Sequence, residues 1–212
     1  MRVRSRRLIV TCALWGGLLA ALIGAGPAAA GDSDLASALR AGGFVIVIRH
    51  GATSAAQDDN NDMLHPNDVA VERQLNHEGR ALAATFGNAL RQLDVPVGKV
   101  YTSELNRAYE TAVLAGFKDI EKTADLTEGG LDVPPSENAR RAEALRFLLG
   151  TPPQPGTNTI LVTHKPNIVD ALGEDWSDVK EGEASIFHPE NGTAKLVARV
   201  QMGEWPHLIA AK

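Results

Sequence analysis

Cysteine is almost missing from this sequence: Cys12 is the only one in 212 residues, and it lies inside an apolar run near the amino terminus. Beyond that run no cysteine is left, which excludes disulfides and thiol chemistry. Positive charge is also scarce, with 21 Lys and Arg against 26 Asp and Glu. Four of the arginines and none of the acids fall in residues 1–30, so removing that stretch takes the formal charge from −5 to −9. Nucleic acid is held by broad basic faces, and so acidic a surface argues against it as a partner. There is no internal repeat and no low-complexity segment. Metal-ligand spacing is absent too: His65, His77, His188 and His207 lack partners, and His77-Glu78 lacks the second histidine of a zinc helix. Asp58, Asn60 and Asp62 alternate as in a calcium loop, but Met63 stands where the turn glycine belongs and Val69 where the closing glutamate belongs.

The one long apolar run spans Leu8 to Ile23. It follows Met1-Arg2-Val3-Arg4-Ser5-Arg6-Arg7 and is followed by Ala28-Ala29-Ala30, the charged, apolar, small-residue order of a secretory signal peptide. Cleavage near Ala30 is expected, giving an exported, periplasmic or secreted chain that begins near Gly31. Gly16, Gly17, Gly24 and Gly26 interrupt the greasy region, which disfavours an uncleaved anchor, so no stable membrane insertion is expected after cleavage. Ser5-Arg6-Arg7-Leu8-Ile9 also has the look of a twin-arginine signal, leaving the export route open. Residues 31–212 suffice for one domain with a sizeable core and are too few for two.

Phe44-Val45-Ile46-Val47-Ile48 reads as a strand buried on both faces, and it runs directly into Arg49-His50-Gly51. A short helix over Asp34 to Ala41, ended by Gly42-Gly43, precedes it. The polar stretch from Ala52 to Gln74 has no clear periodicity and is either a lid over a site or a surface insert. Asn76 caps a predicted helix whose apolar positions Leu82, Phe86, Ala89, Leu90 and Leu93 share one face. Val97 to Thr102 forms a second strand, with a helix from Ser103 through Ala115. A helix over Asn138 to Leu149 precedes a third strand, Asn158 to Thr163, which ends on His164. Pro166 opens a short helix that Gly173 ends. Ala184 to His188 and Ala194 to Val200 form a hairpin around Asn191-Gly192. Strand and helix alternating before a hairpin predict an α/β/α sandwich: three layers, with a mostly parallel central sheet and an antiparallel carboxyl-terminal edge.

Parallel strands share a direction, so three strand ends present polar groups along one sheet edge, where ligands of open α/β sheets bind. The first gives Arg49 and His50. The second gives Thr102-Ser103, with Arg107 one turn into the next helix. The third gives His164, then Lys165 and a helix amino terminus that favours anions. An arginine forks two phosphate oxygens and an imidazole can attack phosphorus. Two arginines, two histidines and a helix start would neutralise a dianionic phosphate and lower the pKa of His50, keeping it neutral and nucleophilic near pH 7. Singly, an arginine at a helix start is ordinarily a surface ion pair, and a histidine after a strand a structural residue. Their convergence is what points to a pocket.

Arg49-His50-Gly51-Ala52-Thr53, Thr102-Ser103-Glu104-Leu105-Asn106-Arg107-Ala108-Tyr109-Glu110-Thr111-Ala112 and Val162-Thr163-His164 resemble, in order and spacing, the histidine phosphatase superfamily, the phosphoglycerate-mutase-like clan. Arg73-Gln74-Leu75-Asn76-His77-Glu78-Gly79-Arg80-Ala81 is similar to the stretch before the first long helix of that family, and the resemblance runs from about residue 43 to 172. It implies that His50 is the nucleophile of a phosphohistidine intermediate, that Arg49, Arg107 and His164 bind the phosphoryl oxygens, and that neither a metal nor another cofactor is needed. It further implies a glutamate as proton donor to the leaving group. Glu128 is the best match, with Glu104, Asp58, Asp59 and Asp62 as competitors, because the segment from Gly129 to Pro135 departs from the glycine-and-acid pattern of the mutase branch. Thr53 and Lys165 are candidate phosphate or substrate contacts.

The expected activity is that of an exported phosphomonoesterase acting on a small phosphorylated substrate. A mutase of the same fold, returning the phosphoryl group to substrate, and a non-catalytic binder of phosphorylated ligands are the alternatives.

Overall fold

The computed structural model describes residues 31–54, 69, 72–128 and 133–210. The expected signal segment therefore lies outside the described residues, as do His65, Asp58, Asp59, Asp62 and most of the loop after Thr53. Six strands form one sheet: β1 (Val45–Arg49), β2 (Val97–Thr102), β3 (Ile120–Lys122), β4 (Asn158–Thr163), β5 (Glu183–Glu190) and β6 (Thr193–Gln201). They lie in the order β3-β2-β4-β1-β5-β6. β1, β2, β3 and β4 pair in parallel, while β5 and β6 close one edge antiparallel. The helices are α1 (Asp32–Ala41), α2 (His77–Gln92), α3 (Asn106–Leu114), α4 (Pro135–Gly150), α5 (Lys165–Leu172) and α6 (Trp205–Ala210). This is the α/β/α sandwich that the strand and helix alternation predicts.

β1 has the four-residue apolar run that a strand flanked by β4 and β5 and covered on both faces requires. Ile46 and Ile48 point into one core with α1, α2, α3 and α6, while Val45 and Val47 point into a second with α4 and α5. All four are buried, each contributing about 1.5–3 kcal/mol of apolar burial. The buried Asn158, first residue of β4, ties the elements together at the opposite end from the site. Its amide donates to Leu39 O at 2.8 Å and Pro96 O at 2.9 Å, and its Oδ1 accepts from Phe44 N at 3.1 Å. The end of α1, the entry to β2 and the start of β1 are thus satisfied by one side chain.

Two helix starts differ from the sequence expectation by three residues, α1 begins at Asp32 rather than Asp34, and strand ends shift by one or two residues. α3 begins at Asn106 rather than Ser103, because the intervening backbone donors are taken: Ser103 N by Val162 O, Glu104 N by Thr127 Oγ1 and Leu105 N by the Ser103 hydroxyl. Arg107 consequently lies in the first turn of α3, not one turn in. α4 begins at Pro135 rather than Asn138, with proline in the first turn where its missing N–H costs nothing. β3 has three residues, two of them charged, too short for a periodicity signal. α6 has a buried Trp205 that meets the Phe86 ring edge-on at 4.9 Å. The Asn191-Gly192 turn has positive φ at both residues, 51° and 80°, as the tight hairpin turn demands.

Gly51 serves close packing rather than an unusual backbone angle. A Cβ there would lie 3.0 Å from Gly79 O, and one on Gly79 would lie 2.7 Å from Ala52 N, so the chain leaving β1 rests directly on the first turn of α2. Asn76 holds this contact from both sides, accepting from Gly79 N at 2.8 Å and donating to Thr53 O at 3.0 Å. Gly79→Ala is therefore expected to cost about 2 kcal/mol or more by overpacking, seen as a lower urea midpoint. An unchanged midpoint would show that the two backbones have room to separate.

Candidate active site

The carboxyl ends of β1, β2 and β4 are in register. Arg49 stands opposite Thr163, Thr102 opposite Val162, and His50 N and Ser103 N continue the ladder to Thr163 O and Val162 O. The residues just past these ends, His50, Ser103 and His164, are all buried. The two imidazoles lie side by side, ring centres 5.2 Å apart and tilted by 56°. Arg107, delivered by the first turn of α3, is fully buried beside them. Arg49, Arg107, His50, His164 and Glu128 therefore come together in one cup.

The tautomer of His50 follows from one hydrogen bond. His50 Nδ1 is 2.8 Å from Gly51 O, and a carbonyl can only accept, so the proton is on Nδ1 and the lone pair on Nε2. Burial pushes the pKa of His50 down to about 3, helped by the Arg107 charge and, less, by Arg49 and Arg73. Burial also holds His164 well below the ordinary histidine value, with Arg107 the next cause. Desolvation is thus the largest single cause, ahead of each of the cationic neighbours that the sequence suggests. Both rings are neutral at pH 7.

Glu128 faces Arg107 and His164. Its Oε2 is 2.5 Å from Arg107 Nη2 and 3.3 Å from His164 Nδ1. The chain around it is fastened from three elements. Thr163 Oγ1 donates to Leu126 O, Asn167 Nδ2 to Thr127 O, and Arg141 Nη1 to both Thr127 O and Glu128 O. Of its competitors, Glu104 is tied to this segment through its backbone N–H, which donates to Thr127 Oγ1.

Arg49 is held by the loop between α5 and β5, donating to Val179 O at 2.8 Å and pairing with Glu181 Oε1 at 3.5 Å. Glu181 also takes the Thr53 hydroxyl at 2.7 Å and the Thr53 N–H at 3.3 Å. Thr53 thus orders this wall of the cup through Glu181. Lys165 is half-buried at the start of α5, immediately after His164. Among the described residues, no group of three or more His, Cys, Asp or Glu could hold a metal ion.

Residues 45–148 match the family model of the histidine phosphatase superfamily (branch 1). The chain belongs to that superfamily. Among proteins of curated function, none matches the chain at a significant level. The superfamily fold recurs in solved structures of low identity. The protein histidine phosphatase SixA complexed with tungstate is 18% identical, with a TM-score of 0.53 over 76% of this chain and 98% of that one. YhfR of Bacillus stearothermophilus is 18% identical, with a TM-score of 0.54 over 73% and 95%. Rv3214 of Mycobacterium tuberculosis is 20% identical, with a TM-score of 0.51 over 76% and 98%.

Beyond the residues that the superfamily motifs single out, the structure brings others to the cup. Arg73 acts on His50, His164 and Arg49 through its charge. Its neighbour Glu72 is buried and accepts Asn106 N at 2.6 Å, supplying α3 with the amino-terminal cap that Leu105 cannot provide. Thr111 donates to Arg107 O and accepts from Gly51 N, joining α3 to the turn after His50. The Arg73-to-Ala81 stretch and the spacing of Thr111 after Arg107 are visible in the sequence, but nothing there gives the contacts. Glu181, Arg141 and Asn167 carry no local signal.

Both buried histidines bind a proton less readily in the folded than in the unfolded chain. For His50, between about pH 6.5 and about pH 3, the unfolded state holds the extra proton, so stability falls as pH falls through that window. Urea midpoints are expected to drop between pH 7 and pH 4, and to drop less in His50→Asn, which has one fewer buried imidazole. An equal drop in the variant would contradict a neutral buried His50.

Proposed function

We propose that this protein is a phosphomonoesterase that transfers the phosphoryl group of a small phosphorylated substrate to His50 Nε2 and then to water. The observation that carries this is the His50 Nδ1–H to Gly51 O bond, which leaves a neutral Nε2 lone pair inside a cup lined by Arg49, Arg107 and His164. The phosphoryl oxygens take the place of the Glu128 carboxylate beside Arg107 and His164. Nε2 attacks phosphorus as the ester P–O bond breaks, and the guanidiniums and the second imidazole hold the charge on the equatorial oxygens. A substrate bound as its monoanion brings the proton: Glu128 takes it as the phosphoryl oxygens displace it from Arg107, and passes it to the leaving alkoxide. Glu128 then accepts a proton from the water that attacks the phosphohistidine, releasing phosphate and restoring His50. No metal or cofactor enters either step.

The composition of residues 1–30 supports export, with the substrate met outside the cytoplasm. No helix among the described residues is long and apolar enough to cross a membrane. Amino-terminal sequencing of protein recovered from the producing cells should begin near Gly31; an intact Met1 would remove the export reading.

Wild-type protein should release inorganic phosphate from p-nitrophenyl phosphate, and His50→Ala should release none. Binding of phosphate by wild type without any turnover would favour the non-catalytic binder. Glu128→Gln should lower kcat by roughly 10²–10⁴-fold on alkyl phosphomonoesters, whose leaving group needs a proton, and far less on p-nitrophenyl phosphate. Equal loss on both would exclude Glu128 as the acid.

A further inference from the structure

We infer that Ser103 is a positioning residue that fixes the tautomer of His164, keeping the proton on Nδ1 so that this ring donates to a phosphoryl oxygen. The catalytic consequence rests on the phosphatase reading above; the tautomer itself does not.

The assignment follows from where each proton around Ser103 can go. Ser103 Oγ, buried like every group it touches, is 2.8 Å from His164 Nε2 and accepts Leu105 N–H at 3.0 Å. Its other neighbour is Thr127 Oγ1, at 3.4 Å. Thr127 already donates to Thr123 O at 3.2 Å and accepts Glu104 N–H at 3.0 Å. The Ser103 proton therefore has one short acceptor, His164 Nε2, and one long one that is already engaged. If Nε2 carried the imidazole proton instead, Ser103 would accept two N–H groups and its own proton would be left to the 3.4 Å contact. His164 Nδ1 would then turn a lone pair on the Glu128 carboxylate 3.3 Å away. With the proton on Nδ1 both conflicts vanish.

A second observation agrees. His164 Nδ1 is fully buried and meets no aligned protein acceptor, its 3.3 Å approach to Glu128 falling outside hydrogen-bond geometry. A buried donor without an acceptor is costly. Beside Arg107 Nη2, an incoming phosphoryl oxygen supplies that acceptor. The order Leu105 N–H to Ser103 O–H to His164 Nε2 starts at the backbone just before α3. It thus couples the donor direction of His164 to the helix that carries Arg107.

The test is long-range 1H–15N correlation on full-length protein labelled with 15N-histidine, the His164 signals being assigned by their loss in His164→Gln. Wild type should give a pyrrole-type nitrogen at Nδ1 and a pyridine-type nitrogen at Nε2. Ser103→Ala should shift the ring toward the opposite tautomer and lower kcat by roughly 10- to 100-fold, less than removal of a transition-state donor outright. Ser103→Thr, which keeps the hydroxyl, should retain the wild-type pattern. A protonated Nε2 in wild type, or an unchanged tautomer and kcat in Ser103→Ala, would overturn the proposal. Should Ser103→Ala fail to fold, the wild-type and Ser103→Thr spectra decide. An inactive wild type with Nδ1 protonated counts against the phosphatase reading and for the tautomer.

Discussion

A fully buried guanidinium is the constraint on which this site depends. Arg107 has no solvent to screen it, and an ion taken out of water costs several kcal/mol unless a counter-charge and hydrogen bonds compensate. The fold meets that need with a carboxylate, Glu128, that is itself fastened by Thr163, Asn167 and Arg141 acting on the backbone around it. A site built in this way prefers an anion at all times. Glu128 is the anion that the fold supplies there, and in the proposed reaction a phosphoryl group takes over the same donors.

The same burial that makes Arg107 demanding makes the two histidines neutral. Desolvation lowers both pKa values before any neighbouring charge is counted, and the arginines push in the same direction. In the proposed reaction, neutrality is what lets one ring attack and the other donate. The proposed nucleophile and donor are thus one residue type, distinguished by what each ring's inner nitrogen meets: a carbonyl for His50 and a hydroxyl for His164.

Much of this was legible in the sequence because it rests on local rules. An unbroken β-branched run identifies β1, a helix-capping asparagine starts α2, an Asn-Gly pair forms the hairpin, and the shared direction of parallel strands brings Arg49, His50, Ser103 and His164 to one edge. What was illegible depends on distant packing. Glu181 reaches Thr53 across 128 residues of sequence, and Glu72 caps α3 from 34 residues away. No periodicity encodes such contacts. The start of α3 is hidden from the sequence for a related reason: Ser103 has the chemistry of a helix cap, yet its hydroxyl is engaged with a buried imidazole and its backbone N–H with the sheet. Arg73 stood within a recognisable stretch, but its bearing on the cup appears only when the chain returns from the loop after Thr53.

The most direct test of the central claim is a crystal structure with orthovanadate, a mimic of phosphorus under in-line attack. The account predicts vanadium bonded to His50 Nε2, with Arg49, Arg107 and His164 Nδ1 on the equatorial oxygens and Glu128 moved off Arg107 toward the apical oxygen. Vanadate bound elsewhere, or in the cup with His50 Nε2 turned away from the metal, would contradict it.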